Sequence, residues 1–254
     1  MNSYLESNAR ERMHGLLDKG TFKEFLPPEM RLVSPHLAQL DAPVSFDDGV
    51  VIGQGLLCGV RVFAAAQEGG FMGGAVGEVH GAKLVGLLKR AIAENVAAVI
   101  LLLDTGGVRL HEANAGLIAV SEVMRAVLDA RAAGIPVIGL IGGSNGCFGG
   151  MGIVARCTNA IVMSEEGRMA ISGPEVIETA NGVEEFDSRD RALVWRTTGG
   201  KHRYLLGDCQ ALIADNTAAF RQAAHDAMQA CIQTGAELTL TALEAEQKLL
   251  ENRL

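Results

Sequence analysis

Apolar positions recur along the chain at two different spacings. From Ala9 to Leu17 they fall at helical intervals, with Met13, Leu16 and Leu17 on one side. Asp18-Lys19-Gly20 closes that run, as glycine often does just beyond a helix. Phe22 to His36 shows no period, and Pro27-Pro28 blocks regular structure. Residues 1–40 therefore read as an N-terminal helical arm that packs on the core or on a partner, and residues 41–254 as a single domain.

Beyond Gly49 the spacing changes. Val50 to Gly55 and Leu57 to Ala65 read as strands joined by a short turn, and Gly69 to Gly74 as a loop. Gly77 to Asn95 returns to helical spacing through Val79, Leu84, Leu87, Leu88 and Ile92. A repeating unit follows. Ala97–Leu103 is a continuous apolar run, the mark of a strand covered on both faces. Asp104-Thr105-Gly106-Gly107 interrupts it, and Ala113–Ala133 is the next helix. Pro136–Ile141 is a second buried strand, interrupted by Gly142-Gly143; a helix of small residues starts near Cys147, and Ala160–Met163 is a third strand. Strands alternating with helices imply an α/β fold with a parallel sheet. After Gly173-Pro174 the chain reads as helical, ending in helices over 216–234 and 238–252.

Composition narrows the function. Hydrophobic residues make up 48% and charged residues 20%, a globular balance. The net charge of −8 disfavours nucleic acid and anionic membrane surfaces as partners. Five cysteines, with no CxxC spacing, read as reduced thiols. The residues after Met1 show no leader pattern, and no apolar run is long enough to span a bilayer, so the expected location is the cytoplasm.

The candidate chemistry sits in two loops where a buried strand gives way to a helix. These are Asp104-Thr105-Gly106-Gly107-Val108-Arg109 and Gly142-Gly143-Ser144-Asn145-Gly146. In open α/β sheets ligands bind beyond the carboxyl ends of the strands. Two converging backbone N–H groups there would make an oxyanion hole. Dinucleotide, P-loop, nucleophile-elbow and zinc signatures are all missing, so no metal is expected. Oxyanion turns without an obvious nucleophile suit a reaction in which the substrate itself becomes the anion.

These segments resemble a known family. Phe71-Met72-Gly73-Gly74 through Lys83, Asp104-Thr105-Gly106-Gly107-Val108-Arg109-Leu110-His111-Glu112, Gly142-Gly143 and Ile171-Ser172-Gly173-Pro174-Glu175-Val176-Ile177-Glu178 follow, in order, the signatures of acyl-CoA carboxylase carboxyltransferases. Ala9-Arg10-Glu11-Arg12 and Leu16 to Phe22 resemble their N-terminal helix. No four-cysteine zinc ribbon precedes the domain. The stretches 111–116, 146–152, 184–188 and 197–203 look like the biotin-independent branch, the malonate decarboxylase β-subunit family.

The resemblance implies a crotonase-like spiral of β-β-α units with C-terminal helices, acting on an acyl thioester through its enolate. It implies decarboxylation of a malonyl group carried on the phosphopantetheine-type arm of an acyl-carrier protein. No cofactor would be bound by this chain. Implied partners are a γ subunit, the carrier protein and an acyl-carrier transferase. The alternative is carboxyl transfer between malonyl thioester and a biotin carrier. The expected hole is Gly142 and Gly143 with Gly106 and Gly107 nearby. Arg109, His111 and Ser144 are the candidate substrate contacts. Arg109 could equally make a solvated ion pair with Glu112 or shape the loop, and Ser144 could cap the helix that follows it. His80 and His111 are candidate proton donors. The basic run Arg191, Arg196, Lys201 and Arg203 is the candidate carrier surface, or a solvated helix face.

Overall fold

The computed structural model describes residues 3–30, 33–41, 49–235 and 239–251. Its strands are β1 (Lys23–Glu24), β2 (Val50–Leu57), β3 (Val60–Gln67), β4 (Val99–Leu103), β5 (Val137–Ile141), β6 (Ala160–Ser164) and β7 (Ala211–Ile213). Its helices are α1 (Ala9–Leu16), α2 (Pro35–Gln39), α3 (Glu78–Glu94), α4 (Asn114–Ala132), α5 (Gly149–Arg156), α6 (Pro174–Asn181), α7 (Arg191–Thr198), α8 (Gly200–Leu205), α9 (Thr217–Thr234) and α10 (Leu240–Glu251).

The strands form one seven-stranded sheet in sequence order. The first three are antiparallel, and β3 onward is parallel. A second ladder of single bridges runs beside the sheet: Val76 pairs with Val108, Thr105 with Cys147, and Cys147 with Met169. Each unit therefore has a long strand, a one-residue strand and a helix: β4–Thr105–α4, β5–Cys147–α5, β6–Met169–α6. This is the β-β-α spiral that the resemblance implies.

Side chains alternate across the pleat, so the central strands feed two cores. Val99, Leu101 and Leu103 of β4 join Leu84, Leu88, Val123 and Met151 on one face. Ile100 and Leu102 join Met13, Leu16, Phe220 and Met228 on the other. The N-terminal arm is part of that second core: Tyr4 stacks on Phe220 with ring centroids 3.8 Å apart. Of the two placements open to the arm, the structure shows packing on the core. The expected boundary near residue 41 abuts 42–48, outside the described residues, as are Leu238 and Asn252 at the ends of the last expected helix.

Two strands escape the sequence pattern. β1 is two polar residues, and β7 is three half-buried residues in a stretch read as helical. Elsewhere the strands and long helices agree with the spacing to within three residues, and the short helix α2 begins in a stretch read as irregular. Gly86 is the exposed exception inside α3, and a β-carbon there would meet nothing within 4 Å. Gly86→Ala is expected to stabilise the chain by about 0.5–1 kcal/mol, because alanine loses less backbone entropy in a helix. Urea unfolding checks this, and a lower midpoint would show that α3 needs the glycine.

Candidate functional site

The site is built where β4, β5 and β6 end. Asp104 follows β4 and is almost fully buried. Its Oδ2 accepts from Arg12 Nη1 at 2.8 Å, and its Oδ1 accepts from the Asn145 amide at 2.8 Å. The Asn145 side chain donates to the Gly69 carbonyl at 3.0 Å. One carboxylate thus ties α1 to the loops after β3, β4 and β5.

Gly142 and Gly143 pack into this framework. A β-carbon on Gly142 would lie 2.4 Å from Phe220 Cζ, and one on Gly143 would lie 2.1 Å from Asp104 Cγ. Both glycines are buried. They let the loop lie flat against side chains of the interior. Glycine pairs are shared by tight packing and by anion sites, so the sequence alone does not separate the two roles.

Gly106 is exposed, but the amides of the Gly106–Gly107 turn are taken. The Gly106 N–H donates to the Gly73 carbonyl at 2.8 Å, and the Gly107 N–H to Thr105 Oγ1 at 3.0 Å. Facing this turn is the start of α5. A β-carbon at Gly107 would sit 3.0 Å from the Phe148 carbonyl oxygen and 3.2 Å from Gly149 Cα. One at Gly149 would sit 3.3 Å from Gly107 Cα and 3.9 Å from the Val108 nitrogen. Gly107 (φ +113°) and Gly149 (φ +60°) adopt backbone that favours glycine.

The segment facing the first turn is therefore Phe148-Gly149-Gly150, not Gly142-Gly143. No side chain caps α5. The amides of Val108, Gly150 and Met151 have no acceptor among the described residues. Unclaimed first-turn amides are the anion-binding groups of a helix. The sequence signal was present as Gly149-Gly150-Met151-Gly152 within a helical stretch. It was hidden because the helix was expected to begin near Cys147, two residues earlier.

The expected side chains divide. Arg109 is interior: its Nη1 donates to Glu112 Oε1 at 2.8 Å and its Nη2 to the Ala75 carbonyl at 3.0 Å. The pair is dry rather than solvated, with both side chains fully buried. Burial alone would raise the Glu112 carboxyl, but the Glu78 amide and Arg109 bring it below its ordinary value. Arg109 thus braces the loop that carries Val108. His111 and Ser144 are exposed. Ser144 caps no helix, since α5 starts at Gly149; its carbonyl accepts from Arg168 instead. His80 is fully buried, with its Nε2 3.2 Å from Gln67 Nε2. Cys147 is buried on the one-residue strand, and burial pushes its thiol far above the usual range.

The basic run is only partly a free surface. Lys201 pairs with Glu165 at 2.9 Å, and Arg203 with Asp208 at 3.0 Å. Arg191 and Arg196 are exposed and have no carboxylate within ion-pair distance among the described residues. Apolar side chains are exposed on the segments around the turns: Leu110 by 80%, Ile171 by 71% and Val176 by 60%, unusual values for large hydrophobic residues.

Residues 6–216 match the family model described as the carboxyl transferase domain. The chain belongs to that family. Among its relatives, malonyl-S-ACP:biotin-protein carboxyltransferase MADC of Malonomonas rubra is 48% identical over 234 residues, covering 87% of this chain and 73% of the relative. A Pseudomonas malonate decarboxylase hetero-tetramer, solved in complex with malonate, contains a chain that superposes with a TM-score of 0.86 at 41% identity. That match covers 92% of this chain and 85% of the other. The Pseudomonas MdcD-MdcE hetero-dimer of malonate decarboxylase gives 0.77 at 36% identity, over 99% and 97% of the two chains. The fold is thus the crotonase-like fold of carboxyl transferase domains. No helix among the described residues is long and apolar enough to cross a membrane.

Proposed function

We propose that this carboxyl transferase domain is the β-type subunit of a malonate decarboxylase, acting on malonyl thioester carried by an acyl-carrier protein. The bond between the carboxylate carbon and the methylene breaks. CO2 leaves, and the bonding electrons pass through the methylene carbon onto the thioester oxygen as an enolate. A proton delivered to that carbon then gives the acetyl thioester. The amides of Val108 and Gly150 hold the enolate oxygen. Such donors act most strongly where water is excluded and where charge develops. The observation that carries this reading is the close approach of the Gly106–Gly107 turn to an uncapped α5.

His111 and Ser144 stay open to the substrate; Arg109 serves by fixing the loop. The exposed apolar side chains of Leu110, Ile171 and Val176 are the surface on which a γ-type subunit closes the site. Arg191 and Arg196 face the carrier, and a transferase subunit exchanges acetyl for malonyl on it. The chain itself holds no cofactor in this reading, and it works in the cytoplasm. The name of the Malonomonas relative favours one second reading, transfer of the carboxyl group to a biotin protein.

CO2 release separates the two. Malonyl-loaded carrier is mixed with this chain and its γ-type partner, with avidin present to sequester biotin. The decarboxylase reading expects release at the avidin-free rate. Release only when an accessible biotin protein is added would replace it with carboxyl transfer.

A further inference from the structure

Arg168 stands in the loop after β6, on the strand segment beside the entrance to α5. Its carbonyl accepts the Cys147 amide at 2.8 Å, and its guanidinium reaches the Ser144 carbonyl. The guanidinium carbon lies 5.6 Å from the Phe148 ring centroid and 4.8 Å from that of Trp195. Arg191 stacks on the same indole at 5.1 Å.

Two arginines are thus brought to one tryptophan in a chain whose net charge is −8. Neither has a carboxylate within ion-pair distance among the described residues. Glu175 and Asp104 act on Arg168 only at longer range, while Arg191 repels it and burial disfavours its charge. The Arg168 Nε is buried without an acceptor. Like charges held together on an aromatic platform, with acids plentiful elsewhere, need a reason. Trp195 also lines an open depression of about 450 Å³ with Arg196, His202 and the paired Lys201 and Glu165, next to the platform though neither Arg168 nor Arg191 lines it.

We propose that Arg168 and Arg191, stacked on Trp195, bind a phosphate group. Guanidinium forks match phosphate oxygens bidentately, and one phosphate presents oxygens in enough directions for two forks. A carboxylate has two coplanar oxygens, which one fork takes up. Stacking holds each guanidinium in place, so little rotamer freedom is lost on binding. The phosphate comes from the pantetheine arm of a carrier or from free phosphate in solution. The first source rests on the proposed thioester chemistry; the site itself does not.

Trp195 is the chain's sole tryptophan, so intrinsic fluorescence reports on this platform alone. The full chain is titrated with inorganic phosphate, 4′-phosphopantetheine and pantetheine at constant ionic strength. A saturable change is expected with the two phosphates and none with pantetheine. Arg168→Gln and Arg191→Gln are each expected to raise the half-saturating concentration at least about tenfold. Arg191 is exposed, so its variant keeps the test open where Arg168→Gln fails to fold. Tighter binding of phosphopantetheine than of phosphate identifies the arm as the source; equal binding identifies free phosphate. Absence of a saturable change, an equal response to pantetheine, or two variants that bind like the parent chain would overturn the site. Binding needs no turnover, so a chain that binds phosphate yet releases no CO2 when mixed with its γ-type partner and malonyl-loaded carrier sinks the decarboxylase reading and leaves this one standing.

Discussion

Gly149→Ala is expected to lower turnover by about 10²–10³, the usual cost of removing one donor from an oxyanion hole. The added methyl group would stand 3.3 Å from Gly107 Cα and 3.9 Å from the Val108 nitrogen, within the gap between the two segments. It also forces alanine into left-handed backbone at φ +60°, a cost of about 1–2 kcal/mol. For a chain of this size that is a drop of a few degrees in melting temperature, not unfolding. The expected signature is therefore a large fall in kcat for CO2 release, a small change in KM and a folded protein. Full activity in Gly149→Ala would remove the hole from this position. Gly142→Ala supplies the contrast. Its methyl would run into the Phe220 ring at 2.4 Å, so stability and activity fall together. Bulk at Gly142 or Gly143 tests the framework, and bulk at Gly149 tests the chemistry.

That contrast marks the limit of what the sequence carries. Strand and helix periods were legible because both faces of the parallel strands are buried and both cores are continuous. β4 and β5 show it as unbroken apolar runs. The two missed strands lie at the sheet edges, where few side chains are buried and hydrogen bonding alone defines the element. For the site, the sequence singles out two glycine pairs, and the structure shows what lies opposite the first of them. The sequence suggests Gly142-Gly143 opposite that turn, where the structure has Gly149-Gly150, seven residues on and chemically alike. Only the path of the chain decides which pair faces the Gly106–Gly107 turn. Cys147 must first bridge Thr105 and Met169, and that crossing carries the backbone from the buried Gly142-Gly143 to the partly exposed Gly149-Gly150. For Arg109 the pairing with Glu112 and the loop-shaping role were legible, but the burial of the pair was not. Its charge suggested water, but Glu112 three residues later and the Ala75 carbonyl satisfy it inside. Arg168 drew no notice because no motif contains it; its platform is assembled from three separate segments.

The largest effect on stability is expected at Arg12. Its guanidinium is the only side-chain cation bonded to Asp104 among the described residues, at 2.8 Å, with both side chains 2% exposed. It also lies 4.7 Å from the Tyr4 ring centroid. Arg12→Ala leaves a buried carboxylate with the Asn145 amide and no countercharge. Breaking a buried pair in this way costs about 3–5 kcal/mol. A melting temperature lower by on the order of 10 °C follows for a domain of this size. The loss falls on the site as well, because Asp104 immediately precedes Thr105-Gly106-Gly107 and holds the loop after β5. Adding Asp104→Asn to Arg12→Ala removes the stranded charge while keeping an oxygen for the Asn145 amide. The double variant is expected to recover about half of the lost stability, so the two substitutions are strongly non-additive. Urea unfolding of the two single variants and the double variant measures this directly. A coupling energy near zero would show that Arg12 stabilises the chain only by packing beneath Tyr4. A large one makes the N-terminal helix an electrostatic support of the glycine turns, with its contact 92 residues away in sequence.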